Sequence, residues 1–341
     1  MPAQQQAIIV QSPKAPFVLG TCDVPSPADG EVLIKTMVVG LNPANWIQRE
    51  YNILIDKYPV VLGNDVAGIV EAVGKGVEGF KKGDRVFGRA AKGGFQQYTI
   101  LAAKGFIIPI PENASFEEVA TIPMAFTSAC IGLFAESPIG IALNPTFSLD
   151  TKHQGESALV IGGSTSVGQF VVQLLKTLGF SRIVVYSSKA HFEYLQELGA
   201  TECIDRRAVP LESLPGALTA PVKVVYHTID LLALNTAYDC VAEGGSIVTC
   251  QPTAPFDRDV QVKNVRFIRL APDPSMMEIF LKNEANAVKC LAEMLERDII
   301  KGNRYEVLEN GVEGIIGGLG RLQKGEVSGV KLVAHPHDPV S

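Results

Sequence analysis

The residues best suited to chemistry in this 341-residue sequence stand in one run, Gly162-Gly163-Ser164-Thr165-Ser166-Val167-Gly168, with Ser187-Ser188-Lys189 following further on. A glycine turn that opens a helix leaves backbone N–H groups without partners at the positive end of the helix dipole, and that is a seat for a pyrophosphate. Gly162 and Gly163 permit the tight turn, and Gly168 permits the helix to pack on its strand. The spacing is shorter than the usual G-x-G-x-x-G, so a plain strand-to-helix turn is the alternative reading.

Its surroundings favour a nucleotide. Residues 158–161 are a short apolar run fit for a buried parallel strand, and Val167, Phe170, Val171, Leu174, Leu175 and Leu178 recur at helical spacing up to Gly179. A β-branched run at 182–186 and a helix at 191–198 complete a βαβ unit. Where an NAD site places a carboxylate on the ribose 2′-hydroxyl, this chain has Ser187, Ser188 and Lys189. A 2′-phosphate suits that corner, so the cofactor expected is NADPH. Arg206, just past a third strand at 203–205, and His191 are further candidates for the phosphate; the alternatives are solvated surface cations for Lys189 and Arg206 and a helix cap for His191.

The whole chain sets wider limits. It carries a net charge of −6, with 47% hydrophobic and 19% charged residues, which fits a globular protein of two cores and gives no support to nucleic-acid or anionic-membrane binding. The cysteines 22, 130, 203, 240, 250 and 290 show no paired spacing, so free thiols are expected. The first 14 residues lack a signal-peptide core and no apolar run is long enough to span a bilayer, which predicts a cytoplasmic protein with a small-molecule substrate.

Before the nucleotide unit, short strands at 7–10, 31–39, 65–73, 84–86 and 97–102 are split by Gly and Pro, the pattern of a barrel-like antiparallel domain. After it, the pattern gives a strand at 265–270, a long helix at 276–297, a strand at 305–308, a helix at 312–322 and a strand at 330–334.

The glycine-rich passage 60–86, followed at its distance by Ser164-Thr-Ser-Val-Gly168, resembles the medium-chain dehydrogenase/reductase superfamily over residues 7–333. The resemblance implies an α/β protein in which a GroES-like β-barrel catalytic domain (1–126 and 273–341) accompanies a Rossmann doubly wound parallel-sheet domain (127–272). Zinc-dependent members carry a cysteine and a Gly-His-Glu run where this chain has Asn42 and Gly63-Asn64-Asp65. Amides are poor zinc ligands, residues 1–152 contain no histidine, and no cysteine lies between Cys22 and Cys130. No metal is expected.

What remains resembles the zinc-free quinone oxidoreductases, alkenal reductases and fungal trans-acting enoyl reductases. Leu41-Asn-Pro-Ala-Asn-Trp46 is similar to their Asn-Pro-x-Asp run with Asn45 for the aspartate, and residues 137–145 resemble the Pro-rich insertion of the fungal enzymes. Ile47 stands where those enzymes carry a lysine. By this resemblance Asn42 and Thr127 lie near the nicotinamide, Thr228 and Ile229 near the adenosine half, Gln251 and Pro252 near the carboxamide, and Lys331 near a cofactor phosphate. Tyr51 is the side chain offered as proton donor, with Asn42 holding the enolate oxygen.

The expected activity is NADPH-dependent reduction of activated C=C bonds or of quinones by hydride transfer. A nucleotide-binding protein without turnover, or an alcohol dehydrogenase, is the alternative. The chain is expected as a monomer or as a homodimer joined at strand 265–270.

Overall fold

The computed structural model describes all residues except 1–2, 230–232, 252, 271–273 and 340–341. The chain divides into Met1–Met124 with Lys301–Ser341, and Ala125–Ile300.

In the second domain six strands form one wholly parallel sheet. Their spatial order is Glu202–Asp205, Arg182–Ser187, Ser157–Ile161, Val222–His227, Val241–Thr249 and Arg266–Arg269. This is the doubly wound order 3-2-1-4-5-6, whose reversal point lies beside the first strand. Residues Ala158, Leu159, Val160 and Ile161 are fully buried, as an unbroken apolar run covered on both faces requires. The strand Arg266–Arg269 is the sheet's edge.

The helix Ser166–Thr177 follows the first strand at once. Thr165 caps it, its hydroxyl accepting the Gly168 N–H at 3.0 Å, and the apolar face Phe170, Val171, Leu174 and Leu175 is buried.

In the first domain a seven-stranded and a three-stranded sheet are built from antiparallel pairs, apart from the parallel pair Tyr305–Leu308 and Lys331–Ala334. They enclose a core that includes Ile34, Val39, Val66, Val70, Leu101 and Leu332. Lys331–Ala334 pairs antiparallel with Glu31–Gly40, which in turn pairs with Asp65–Val73. The last segment of the chain therefore lies in register with strands from the first hundred residues.

The division departs from the expected boundaries. The chain leaves the second domain at 300/301, whereas the expected return at 272/273 lies outside the described residues. The long helix Met277–Glu296 belongs to the nucleotide-binding side because its buried face, including Cys290, Leu291 and Met294, packs there: the Cys290 thiol meets Cys130 on the helix Pro123–Phe134. The helix Pro43–Tyr51 is a further element that the sequence pattern did not give. Asn42 is its N-cap and Pro43 its first residue, the position where a missing N–H costs nothing.

Candidate cofactor and substrate sites

Gly162 bends back with φ +87°, and a Cβ there would sit 2.5 Å from Thr228 Oγ1 and 2.5 Å from Ile229 Cγ2. A Cβ on Gly163 would fall 2.2 Å from Val185 Cγ1, and one on Gly168 2.4 Å from the Gly162 carbonyl. All three positions thus require glycine. The result is a cradle at the carboxyl end of the first strand, with the Gly163, Ser164 and Val167 N–H groups making no hydrogen bond among the described residues. Ser166 opens the helix. The arrangement fits a pyrophosphate.

Beside it, Ser187 ends its strand with a buried hydroxyl that has no partner among the described residues. Arg206 reaches across from the neighbouring strand end, its Nε donating to Ser188 Oγ at 2.7 Å and its backbone N–H to the Ser187 carbonyl at 2.9 Å. That bond uses one of five guanidinium protons and leaves four. Lys189 is exposed and His191 half-buried on the short turn that follows. Asp205 stands in register with Ser187, and its Oδ1 accepts the Arg207 N–H at 3.0 Å. The corner joins two hydroxyls to two cations, a donor set suited to a phosphate.

The other expected cofactor residues divide. Thr228 is committed to the glycine turn: its hydroxyl meets the carbonyls of Ile161 at 3.0 Å and Gly162 at 2.9 Å and the Thr165 hydroxyl at 2.9 Å. Its work is to hold the turn, and Ile229 packs on the same glycine. Gln251 is held by its backbone N–H on Thr249 Oγ1, by its carbonyl on Arg269 and by its side chain on the Thr228 carbonyl. Its backbone is therefore already occupied, and its neighbour Pro252 lies outside the described residues. Thr127 is buried in the helix Pro123–Phe134.

Sequence reasoning passed over His227 at the same strand ends. It is fully buried, with Nδ1 2.9 Å from Thr249 Oγ1 and Nε2 without a partner among the described residues. Burial, with Arg269 adding to it, pulls its pKa down to about 4. A hollow of about 410 Å³ in this domain lies at the opposite, amino-terminal strand ends around Lys223, Ser246 and Arg266, away from the glycine turn.

In the first domain two residues expected to serve separately, Asn42 and Lys331, are brought together, and Asp65 joins them. Asn42 Nδ2 donates to Asp65 Oδ2 at 2.9 Å, while Asn42 Oδ1 accepts from Lys331 Nζ at 3.0 Å. Lys331 Nζ also pairs with Asp65 Oδ2 and donates to the Thr121 carbonyl at 3.3 Å. Asp65 Oδ1 takes the Met124 N–H at 3.0 Å. Gly40 makes room, since a Cβ there would lie 3.1 Å from Lys331 Cε and 2.3 Å from the Ala120 carbonyl.

This corrects the role expected of Lys331. Its side chain is 1% exposed and its three protons are all engaged, so none remains for a cofactor phosphate. Asn45 and Asn64 close the network. Asn45 Oδ1 accepts the Asn42 N–H at 2.9 Å, and Asn45 Nδ2 donates to Asn64 Oδ1 at 2.8 Å. The amides at the two expected zinc-ligand positions are thus bonded to protein partners, and a neutral amide is a poor substitute for thiolate or imidazole. Among the described residues no cluster of His, Cys, Asp and Glu could hold a metal ion.

Tyr51 is not brought to Asn42. It closes the helix that Asn42 opens, about 13 Å away along the axis at about 1.5 Å per residue, and it is 63% exposed. Asp65 and Asn45 were missed as members of this group. The only signal for them was their place in the Gly63-Asn64-Asp65 and Asn42-Pro-Ala-Asn45 runs, since contacts over 266 or 289 residues leave no local pattern.

Two family models match the chain, "Alcohol dehydrogenase GroES-like domain" over residues 28–123 and "Zinc-binding dehydrogenase" over residues 166–296. The trans-enoyl reductase tazE of Aspergillus terreus is 34% identical over 291 residues, which is 82% of this chain and 88% of that protein. The quinone oxidoreductase of Coxiella burnetii has a similar structure, with a TM-score of 0.76 and 24% identity over 97% of this chain and 98% of that one. The mycobacterial protein Rv1454c, solved in complex with NADPH, gives a TM-score of 0.78 at 20% identity over 97% and 100% of the two chains. At these identities the structural matches bear on the fold.

Proposed function

The chain belongs to the medium-chain dehydrogenase/reductase superfamily and is an oxidoreductase of that type, and we propose that it is an NADPH-dependent, zinc-independent reductase of C=C bonds conjugated to a carbonyl, with quinones as related acceptors. The observation that carries this reading is the Asn42 amide: one of its two Nδ2 protons is fixed on Asp65, and the other has no partner among the described residues. A neutral donor of this kind suits a carbonyl oxygen that gains negative charge as its β-carbon is reduced. Likeness to trans-enoyl reductases from Aspergillus terreus and Aspergillus flavipes supports the same substrate class.

When bound, the nicotinamide supplies a hydride. The Gly163, Ser164 and Val167 N–H groups hold the pyrophosphate. Ser187, Ser188 and Arg206 bind the 2′-phosphate, with Lys189 and His191 adding to the local charge. Asn42 Nδ2 donates to the substrate oxygen and stabilises the enolate. The proton for the α-carbon comes from water, because Tyr51 is carried to the far end of its helix.

The test is consumption of NADPH in the presence of a panel of enones, enals, enoyl thioesters and quinones. Turnover with at least one class is expected. Tight NADPH binding with no consumption across the panel would leave a nucleotide-binding protein without turnover.

A further inference from the structure

We infer that Asp65 and Lys331 are positioning residues: a buried ion pair that fixes the Asn42 amide so that its one uncommitted Nδ2 proton points in a single direction. The inference rests on the reading of Asn42 as the carbonyl donor. Asp65 and Lys331 expose 0% and 1% of their side chains. Such a pair is a poor source of stability, because taking both charges out of water costs as much as their attraction returns. A structure that merely needed to join these strands would do as well with apolar side chains.

The geometry shows what the pair accomplishes. An isolated asparagine can rotate its amide by half a turn at little cost, exchanging donor for acceptor. Here the ammonium lies 3.0 Å from Asn42 Oδ1 and the carboxylate 2.9 Å from Nδ2, so the opposite orientation would set two donors face to face and two acceptors face to face. The pair is itself held by the Thr121 carbonyl and the Met124 N–H. The Asn42 backbone is held independently, as the N-cap of its helix and through its N–H bond to Asn45 Oδ1. Backbone and side chain are thus fixed by separate contacts, and only the side-chain contacts depend on the charges.

Three proteins test this: Lys331→Met, the charge-free double variant Lys331→Met/Asp65→Asn, and Asn42→Ala. The single variant leaves a buried carboxylate without its cation and is vulnerable to misfolding, so the double variant carries the decision. Asparagine-selective ¹⁵N NMR of the full chain reads the amide directly, with the Asn42 side-chain signals identified by their loss in Asn42→Ala. Two well-separated, slowly exchanging proton signals are expected in the unaltered protein. In the double variant they should draw together and exchange faster, while melting and NADPH affinity stay close to the unaltered values.

With a substrate from the panel, kcat of the double variant should fall on the order of ten- to a hundredfold with KM nearly unchanged, as for an oxyanion donor that is present but misdirected. Unchanged Asn42 amide signals in the folded double variant would overturn the inference. Unchanged kcat in Asn42→Ala would instead overturn the assignment of Asn42 as donor, and the NMR result would still report on the pair.

Discussion

Replacing Arg206 with alanine tests cofactor choice where the structure is most explicit. Its Nε is anchored on Ser188 Oγ at 2.7 Å and its backbone N–H on the Ser187 carbonyl at 2.9 Å, and the guanidinium has four protons beyond that bond. A hydrogen bond to a charged group contributes about 1.5–3 kcal/mol, and because Arg206 is exposed the lower end applies. Two such bonds lost from the 2′-phosphate amount to about 3 kcal/mol, or on the order of a hundredfold in affinity. NADH has no group there, so its affinity should change by less than about twofold. Titration calorimetry of both nucleotides against the unaltered protein, Arg206→Ala and Ser188→Asp/Arg206→Ala measures this. The first variant should lose most of its preference for NADPH, and the second should favour NADH, since a carboxylate at 188 repels the phosphate and accepts from a ribose hydroxyl. An NADPH-to-NADH ratio that Arg206→Ala leaves unchanged would refute the reasoning.

Three further outcomes are expected. Tyr51→Phe should lower kcat by less than about fivefold, because the phenol is exposed at the opposite end of the helix from Asn42; a loss of a hundredfold or more would restore it as general acid. Gly168→Ala should weaken NADPH binding on the order of tenfold, since its Cβ would stand 2.4 Å from the Gly162 carbonyl and push the turn open; calorimetry and a melting curve separate that from global unfolding. His227 is held neutral with its pKa lowered from 6.5 to about 4, so between these values the unfolded chain takes up a proton that the native chain does not. Its contribution is fully present above about pH 6.5 and is lost as the pH falls toward about 4, by about 3 kcal/mol in all. Burial lowers the His337 pKa as well, so urea melts should compare the unaltered protein with His227→Gln, whose slope against pH should be flatter. Equal slopes would contradict the account of His227.

The fold was legible because its signals are local. The run 158–161, the glycines that follow and the helical spacing to Leu178 occupy one continuous stretch, and the parallel sheet grows from that unit. That Ser187, Ser188 and Arg206 share one corner was legible too, since the two serines end one strand and Arg206 follows the next. The polar group around Asn42 was not. Asp65 and Lys331 meet only because the last strand pairs with Glu31–Gly40, which pairs with Asp65–Val73, and no period in the sequence encodes that. Lys331 read as a phosphate-binding cation for the same reason: its burial follows from a partner 266 residues away. The helix Pro43–Tyr51 was missed for a different cause. An asparagine before a proline marks a turn as readily as an N-cap, and nine residues give too little periodicity to decide.

The central claim is that hydride goes to a carbon–carbon double bond whose carbonyl is held by Asn42. Reducing an enal or enone with NADPH that carries deuterium at its transferable position tests it most directly. The account predicts a saturated carbonyl product with deuterium on the β-carbon, formed equally in the presence of a metal chelator and strongly slowed in Asn42→Ala. Deuterium on the carbonyl carbon of an allylic alcohol would contradict it and make the protein an alcohol dehydrogenase in the sense of its metal-dependent relatives.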